Sequence, residues 1–167
     1  MKRIVRTAVF ETNSSSSHCI SISDSKELLD TINTDSDGSI SIERLEPFRP
    51  NVDYKINRPI EKLEYLIHYI FLIGVCRYEH KDLNISVCVT RADELYEMLS
   101  RVVFTHTGAT SFKFTSSIER YYDFDIEDLG EGGEFYTGYD PRFKCVFETD
   151  EKLRNFLFNP KSEIRIY

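Results

Sequence analysis

Several short stretches of the chain alternate apolar with polar side chains, a pattern that places every second residue on one face of a strand. Residues 19–22 and residues 40–42 alternate isoleucine with cysteine or serine, and residues 83–89 alternate Leu, Ile and Val with Asn, Ser and Cys. The alternation predicts half-buried strands at these places. Four further stretches have strand character: residues 2–10, 112–114, 144–148 and 164–166.

Apolar residues at intervals of three and four positions predict four helices. One follows Pro59, whose fixed backbone angle suits a first helical position, and its apolar residues occur on nearly every face. A second covers residues 92–103 behind a capping box of Thr90 and Asp93, and a third follows the helix-capping residue Thr149. A weaker pattern at residues 25–33 predicts the fourth helix.

Helices and strands that interleave irregularly predict an α+β fold, with a mixed and mostly antiparallel sheet packed against three to four helices. The 167 residues, 41% of them hydrophobic, suffice for one core, so we expect residues 1–167 to form a single domain. Three prolines fall within residues 46–59. We interpret this stretch as a surface loop and as the place where a subdomain boundary would lie.

Charge and cysteine content narrow the classes of function. The chain has 21 basic and 28 acidic residues, and this net charge of −7 repels phosphate backbones and disfavours direct nucleic-acid binding. The four cysteines form no C-x-x-C pair, and the longest apolar run, residues 65–76, is shorter than the roughly 20 residues of a membrane span. These features predict a cytosolic protein with reduced thiols and no membrane anchor.

Residues 11–18, which we call the serine loop, place four consecutive serines between two predicted strands. Small hydroxyl side chains and free backbone N–H groups can form a nest for an anion such as a nucleotide phosphate. The ligand-binding residues of this hypothesis are Thr12, Asn13, Ser14, Ser15, Ser16, Ser17 and His18. The alternative is an ordinary serine-rich surface turn, and the absence of glycine excludes a P-loop.

Two segments carry a resemblance to a known group of proteins. Residues 9–18, with the sequence VFETNSSSSH, and residues 156–162, with the sequence FLFNPKS, resemble the two ends of a group of uncharacterised bacteriophage proteins. The group brings no activity with it. The resemblance implies a phage origin and action in the cytoplasm of the infected bacterial host, and it favours a functional role for the serine loop.

Residues 119–134, which we call the acidic tract, hold seven acidic residues against one base, so their net charge is −6 out of −7 for the whole chain. The tract predicts a partner-binding surface made of carboxylates and tyrosines: Tyr121, Tyr122, Asp123, Asp125, Glu127, Asp128, Glu131 and Glu134. One alternative is an edge strand whose charges prevent aggregation. The other is a calcium loop at residues 123–134, which lacks the glycine that such loops need at their sixth position.

No histidine of this chain has the spacing to another histidine or to a cysteine that metal sites require, so we predict neither a metal nor a cofactor. His68 falls in the helix that we expect to be buried, and His106 is expected in a solvated loop. No catalytic residue can be assigned.

The hypothesis we favour is a small acidic phage accessory protein that acts by protein–protein interaction. Its partner would be a host or phage protein with a basic surface, and binding would inhibit or modulate host defence or nucleic-acid handling. The absence of a recognisable catalytic motif argues against an enzyme. Two alternatives stay open: an enzyme or small-ligand binder that uses the serine loop, and a structural protein of the virion. The oligomeric state is not predicted.

Overall fold

The computed structural model describes residues 18–23, 29–43, 54–75, 85–114 and 144–166. Helices and strands both occur within these residues, which confirms the α+β class. The helices are α1 (Pro59–Val75), α2 (Ile85–Thr107) and α3 (Asp150–Phe158). The strands are β1 (His18–Ser21), β2 (Ser39–Ile42), β3 (Tyr54–Ile56), β4 (Ser111–Phe114) and β5 (Glu163–Ile166).

The described strands form two small sheets. In the first sheet β5 is the central strand, and β1 and β3 pair with it antiparallel on either side. In the second sheet β2 and β4 pair parallel, with Ile40 opposite Phe112 and Ile42 opposite Phe114. Because α1, β3 and α2 lie between β2 and β4 in the chain, this parallel pair is closed by a long crossover, as parallel pairing requires.

The hydrophobic core lies where α1 packs against α2 and α3 and where isoleucines of the strands cover the helices. Leu63, Leu66 and Ile67 of α1 have no exposed surface, and none of the residues 59–70 is exposed, which confirms that this helix is buried on several faces. Each fully buried aliphatic side chain contributes about 1.5–3 kcal/mol relative to an exposed one. The other buried members include Leu99 and Val103 of α2, Leu153, Phe156 and Leu157 of α3, and Ile20, Ile40, Ile42, Ile56 and Ile164 of the strands.

Helix ends follow the chemical signals in the sequence. Pro59 is the first residue of α1, and the Thr149 hydroxyl accepts a hydrogen bond of 3.1 Å from the Lys152 N–H at the start of α3. Gly108, directly after α2, has a φ of +77°, a conformation that glycine adopts without steric cost. Pro160 follows the α3 cap residue Asn159 and prevents a further helical turn. Of the described helices, none is long and apolar enough to cross a membrane.

The strand predicted at residues 83–89 is wrong for residues 85–89, which form the first turns of α2. Ile85, Val89 and Ala92 also recur at helical spacing, and this period continues through Leu95 and Leu99. The long helical pattern prevails over the short alternation. The capping box is wrong for the same reason, since Thr90 lies inside α2 and not at its first residue.

The helix predicted at residues 25–33 is wrong in its described part, because residues 29–33 have no helical structure. Here the Asp30 N–H donates to the carbonyl oxygen of Phe158 at 2.8 Å, so a tertiary hydrogen bond replaces a helical one. The strand predicted at residues 144–148 is also wrong, and the chain forms a turn. Val146 and Phe147 are neighbours in the sequence and are both buried, which a strand with one buried face does not allow.

The loop predicted at residues 46–59 is wrong at residues 54–56, which form β3. Lys55 and Ile56 of this strand pair with Arg165 and Ile164 of β5, and Ile56 is buried. The sequence does not predict this short strand, because the prolines on either side of it indicate a loop. The strand predicted at residues 2–10 and residues 11–17 of the serine loop lie outside the described residues.

Candidate functional site

Of the site residues predicted from the sequence, His18 is the one that belongs to the described residues. Residues 12–17 of the serine loop and the partner-binding residues of the acidic tract, all within residues 121–134, lie outside the described residues. His18 is the first residue of β1, and its backbone is the register partner of Ile166 in β5. Tyr54 of β3 is the register partner of Ile166 on the other side. The chain therefore enters the three-stranded sheet from the serine loop at the end where β5 finishes.

His68 and His106 are the other two histidines among the described residues. His68 lies half-buried on α1, where burial lowers the pKa of its imidazole to about 4 and keeps it neutral near pH 7. His106 does not lie in a solvated loop, as predicted, but in the last turn of α2. Its ring stacks on Phe158 at a centroid distance of 3.9 Å, and its Nε2 lies 3.0 Å from the Asp30 carbonyl oxygen. These contacts are tertiary, so the local sequence could not show them.

An open groove of about 510 Å³ runs between the second half of α2 and the first turns of α3. Its lining combines charges of both signs with one valine and one threonine. The lining residues are Arg101, Val102, Thr105 and His106 of α2, and Asp150, Glu151 and Arg154 of α3. We refer to it as the α2–α3 groove.

An ion pair bridges the two walls of this groove. Arg101 donates from Nε and Nη2 to the two carboxylate oxygens of Asp150, at 3.0 and 2.7 Å. These hydrogen bonds from Arg101 lower the pKa of the Asp150 carboxyl, and a carboxylate is also favoured in the first turn of a helix. Arg154 and Glu151, also exposed in the groove, make no ion pair within the described residues. The groove can therefore offer a partner both a cation and an anion.

A polar turn at residues 33–41 shows a second arrangement of carboxylates. Asp35 Oδ2 accepts hydrogen bonds from the Ser41 hydroxyl at 2.7 Å and from the Ser39 hydroxyl at 3.4 Å. Asp37 Oδ1 accepts from the Ser39 hydroxyl at 2.6 Å and from the Ser39 N–H at 3.0 Å, and these bonds lower the pKa of Asp37. Gly38 has a φ of +79°, which permits the sharp turn into β2.

The spacing in this turn matches the first half of a calcium loop, with Asn33, Asp35, Asp37 and Gly38 at positions one, three, five and six. The match is incomplete, since Arg44 occupies position twelve, where such loops carry a bidentate glutamate. Within the described residues, no group of three or more His, Cys, Asp or Glu side chains could hold a metal ion. The spacing rule that makes the acidic tract a calcium-loop candidate also selects this turn.

A buried lysine is the most unusual side chain of the described core. Lys62 of α1 has no exposed surface, and its Nζ donates to the carbonyl oxygens of Asn159 at 3.0 Å and Ser162 at 3.1 Å. The Ser162 hydroxyl in turn donates to the Asn155 carbonyl oxygen at 2.8 Å and accepts from the Ser23 N–H at 2.9 Å. The turn between α3 and β5 is therefore tied to α1 and to the chain that follows β1.

Sequence reasoning did not find Lys62 because a lysine within an amphipathic helix is ordinarily exposed. Its acceptors lie 97 and 100 positions away in the chain, and no local pattern indicates them. The turn that contains these acceptors belongs to the FLFNPKS segment, residues 156–162. In this segment Asn159 and Ser162 are fully buried polar residues, and every buried side-chain N or O atom that the structure describes has a hydrogen-bond partner.

Comparison with known proteins gives no relative to which this site could be matched. No protein-family model matches the chain, and neither a curated protein nor a solved structure matches it.

Proposed function

We propose that this chain is a small acidic accessory protein of bacteriophage origin that acts by binding another protein in the cytoplasm of an infected bacterium. The partner carries a basic surface, of the kind that host defence or nucleic-acid-handling proteins use to hold phosphate backbones. The observation that carries the proposal is the acidic tract, in which residues 119–134 hold six of the seven net negative charges. The phage origin rests on the resemblance of residues 9–18 and 156–162.

Concentrated carboxylates act on a basic partner before contact. Opposite potentials steer two proteins together and raise the association rate, and the effect weakens as salt shortens the screening length from about 10 Å at 0.1 M to about 3 Å at 1 M. Tyrosines such as Tyr121 and Tyr122 add contact area at a low cost in conformational entropy, which is why tyrosine is enriched at interfaces. The tract thus combines long-range attraction with short-range contact.

The described parts on either side of the tract support a binding role, because both are anchored in the fold. Upstream, β4 ends at Phe114, whose backbone pairs with Ile42 of the buried strand β2. Downstream, Val146 and Phe147 are buried, and the Thr149 cap starts α3. The described residues on both sides of the segment that contains the tract are therefore packed into the fold, and binding residues often lie between such anchored elements.

The experiment captures the partner from infected or expressing bacteria with the tagged protein and measures association of the purified pair. Replacing Asp123, Asp125, Glu127 and Asp128 by Asn or Gln is expected to slow association by about tenfold or more at low salt and to flatten its salt dependence. The matched control replaces Ser14, Ser15, Ser16 and Ser17 by Ala and is expected to leave association unchanged.

Two outcomes contradict the proposal. If the carboxylate variant associates as fast as the parent at low salt, the tract is not the contact surface. If the serine variant alone loses binding, the serine loop is the functional site, and the protein is a ligand binder or an enzyme that uses residues 12–18. A thermal unfolding curve equal to that of the parent confirms that each variant is folded.

A further inference from the structure

Three elements meet at the buried amino group of Lys62. The residue belongs to α1, its first acceptor Asn159 is the cap residue of α3, and its second acceptor Ser162 directly precedes β5. We call this place the Lys62 junction. Since β5 is the central strand of its sheet, β1 and β3 both depend on the position that the junction gives to β5.

The junction provides two acceptors for a group that carries three N–H bonds when it is charged. Both acceptors are backbone carbonyl oxygens, and no carboxylate within the described residues forms an ion pair with Lys62. The ring of Phe156 lies 5.8 Å from Nζ, near the limit at which a cation gains from an aromatic face. An ammonium group that is fully buried without a counter-ion is costly.

A neutral amine fits the same place without this cost. It keeps two N–H bonds, one for Asn159 and one for Ser162, so both hydrogen bonds survive when the third proton leaves for the solvent. Burial is the largest influence on this group and lowers the pKa of Lys62 to about 8. The two carbonyl acceptors and the burial of Nζ therefore both favour the neutral amine over the ammonium group.

The other charged or titratable groups on the elements that meet here act weakly or are already paired. Asp30, beside the α3 end, is exposed, and its carboxylate favours the charged form of Lys62. His106 of α2 stacks on Phe158 and contacts the Asp30 carbonyl oxygen. Glu163 of β5 is held by Lys55 and Arg165. The negative end of the α3 dipole also favours a cation, and burial outweighs these effects.

We propose that the Lys62 junction is a pH-responsive device, in which mild alkali converts the buried ammonium to an amine, preserves both carbonyl hydrogen bonds and makes the fold more stable. The proton passes from Nζ to solvent hydroxide, and no covalent bond other than N–H changes. Near neutral pH the protein thus holds a buried, charged lysine at the turn that leads into β5, the central strand of the sheet.

The sign of the effect follows from proton linkage. Lys62 titrates near pH 8 in the folded chain and near 10.4 when unfolded, so between these values the unfolded state binds more protons. Stability from this group therefore rises with pH across that window, and its cost is fully present below pH 8. From pH 7 to pH 9 the unfolding equilibrium constant is expected to fall by about tenfold on account of Lys62 alone.

The first test uses the unmodified chain. Lysine labelled with ¹³C at Cε is titrated by NMR, and the Lys62 signal is assigned as the one absent from a Lys62→Arg variant. We expect a midpoint near pH 8, about two pH units below the ordinary lysine value of about 10.4. A Lys62 midpoint at 10 or above overturns the proposal.

The second test compares urea unfolding at pH 7 and pH 9 for the parent, for Lys62→Met and for Lys161→Met. Methionine keeps the length of the buried side chain and removes its titration, while Lys161 is an exposed lysine in the same turn and serves as the matched control. The tenfold change is expected in the parent and the control, and it is expected to be absent from Lys62→Met. Equal changes in all three proteins overturn the proposal. If Lys62→Met does not fold, the NMR midpoint decides.

Discussion

Lys62 and His68 lie six positions apart on α1, and burial lowers the pKa of both side chains. The lysine reaches two backbone carbonyl oxygens and sits beneath the turn that leads into β5. The half-buried histidine has a pKa of about 4 in the folded chain, so it stays neutral down to the pH range in which carboxylates titrate. Burial therefore disfavours the charged form of two basic residues on one helix. Because the ordinary pKa values of lysine and histidine differ by about four units, the folded chain titrates Lys62 above pH 7 and His68 below it.

At the acid side, His68 is expected to make the fold less stable as pH falls from 6.5 to 4. Its pKa is about 4 in the folded chain and about 6.5 when unfolded, so in this window the unfolded state takes up the proton. The contribution is present in full above pH 6.5 and is lost as pH falls, and the loss amounts to about 1–3 kcal/mol by pH 4.

Urea unfolding of the parent and of a His68→Gln variant between pH 7 and pH 4 measures this contribution. Carboxylates titrate in both proteins, so the difference between the two pH profiles isolates the histidine. We expect the variant to lose less stability than the parent over this range. Parallel profiles would show that His68 accepts a proton in the folded chain as readily as in the unfolded one.

At the scale of elements, the sequence predicts best where a chemical signal marks an end. Pro59 and Thr149 mark the first turns of α1 and α3, and Pro160 marks the end of α3. Residues 85–89 carry no such signal, and their apolar residues satisfy the periods of a strand and of a helix at once. Residues 54–56 form a strand because β5 is beside them, and no local pattern contains that information.

The Thr149 cap can be tested as an element-scale contribution. Thr149→Ala removes the acceptor for the Lys152 N–H at the start of α3, a helix of 9 residues, and is expected to lower the free energy of unfolding by about 1 kcal/mol. Thr105→Ala is the matched control, because Thr105 is exposed inside α2, where alanine is the better helix former. Urea unfolding should show a loss for Thr149→Ala and none for Thr105→Ala. Equal stability of the two variants would mean that the cap is not needed.

At the scale of the whole molecule, the sites depend on contacts that the sequence cannot show. Arg101 and Asp150 are 49 positions apart and meet only because α2 packs against α3. The core itself was easier to predict, since Leu63 and Ile67 of α1 and Leu99 of α2 have the helical spacing of a buried face. The distribution of charge along the chain indicates the acidic tract without any knowledge of tertiary contacts. The proposed function rests on this tract.

Metal binding would also change the stability of the whole molecule, because an ion that binds only the folded state raises the melting temperature by mass action. Two stretches have carboxylates at calcium-loop spacing: residues 33–38 and residues 123–134. In the first, serine hydroxyls already occupy Asp35 and Asp37, and position twelve is an arginine. In the second, position six is Asp128 and not glycine. Neither stretch has the full set of features that a calcium loop uses.

We therefore expect that millimolar calcium leaves the melting temperature unchanged relative to the same buffer with a chelator, with magnesium as the control for ionic strength. A reproducible rise that calcium produces and magnesium does not would contradict this expectation. Two variants would then locate the ion. Loss of the rise in Asp35→Asn/Asp37→Asn would assign it to the turn before β2, where Gly38 already provides the bend that a calcium loop needs. Loss in Asp123→Asn/Asp125→Asn would assign it to the acidic tract, and the carboxylates that we propose for partner binding would then be metal ligands.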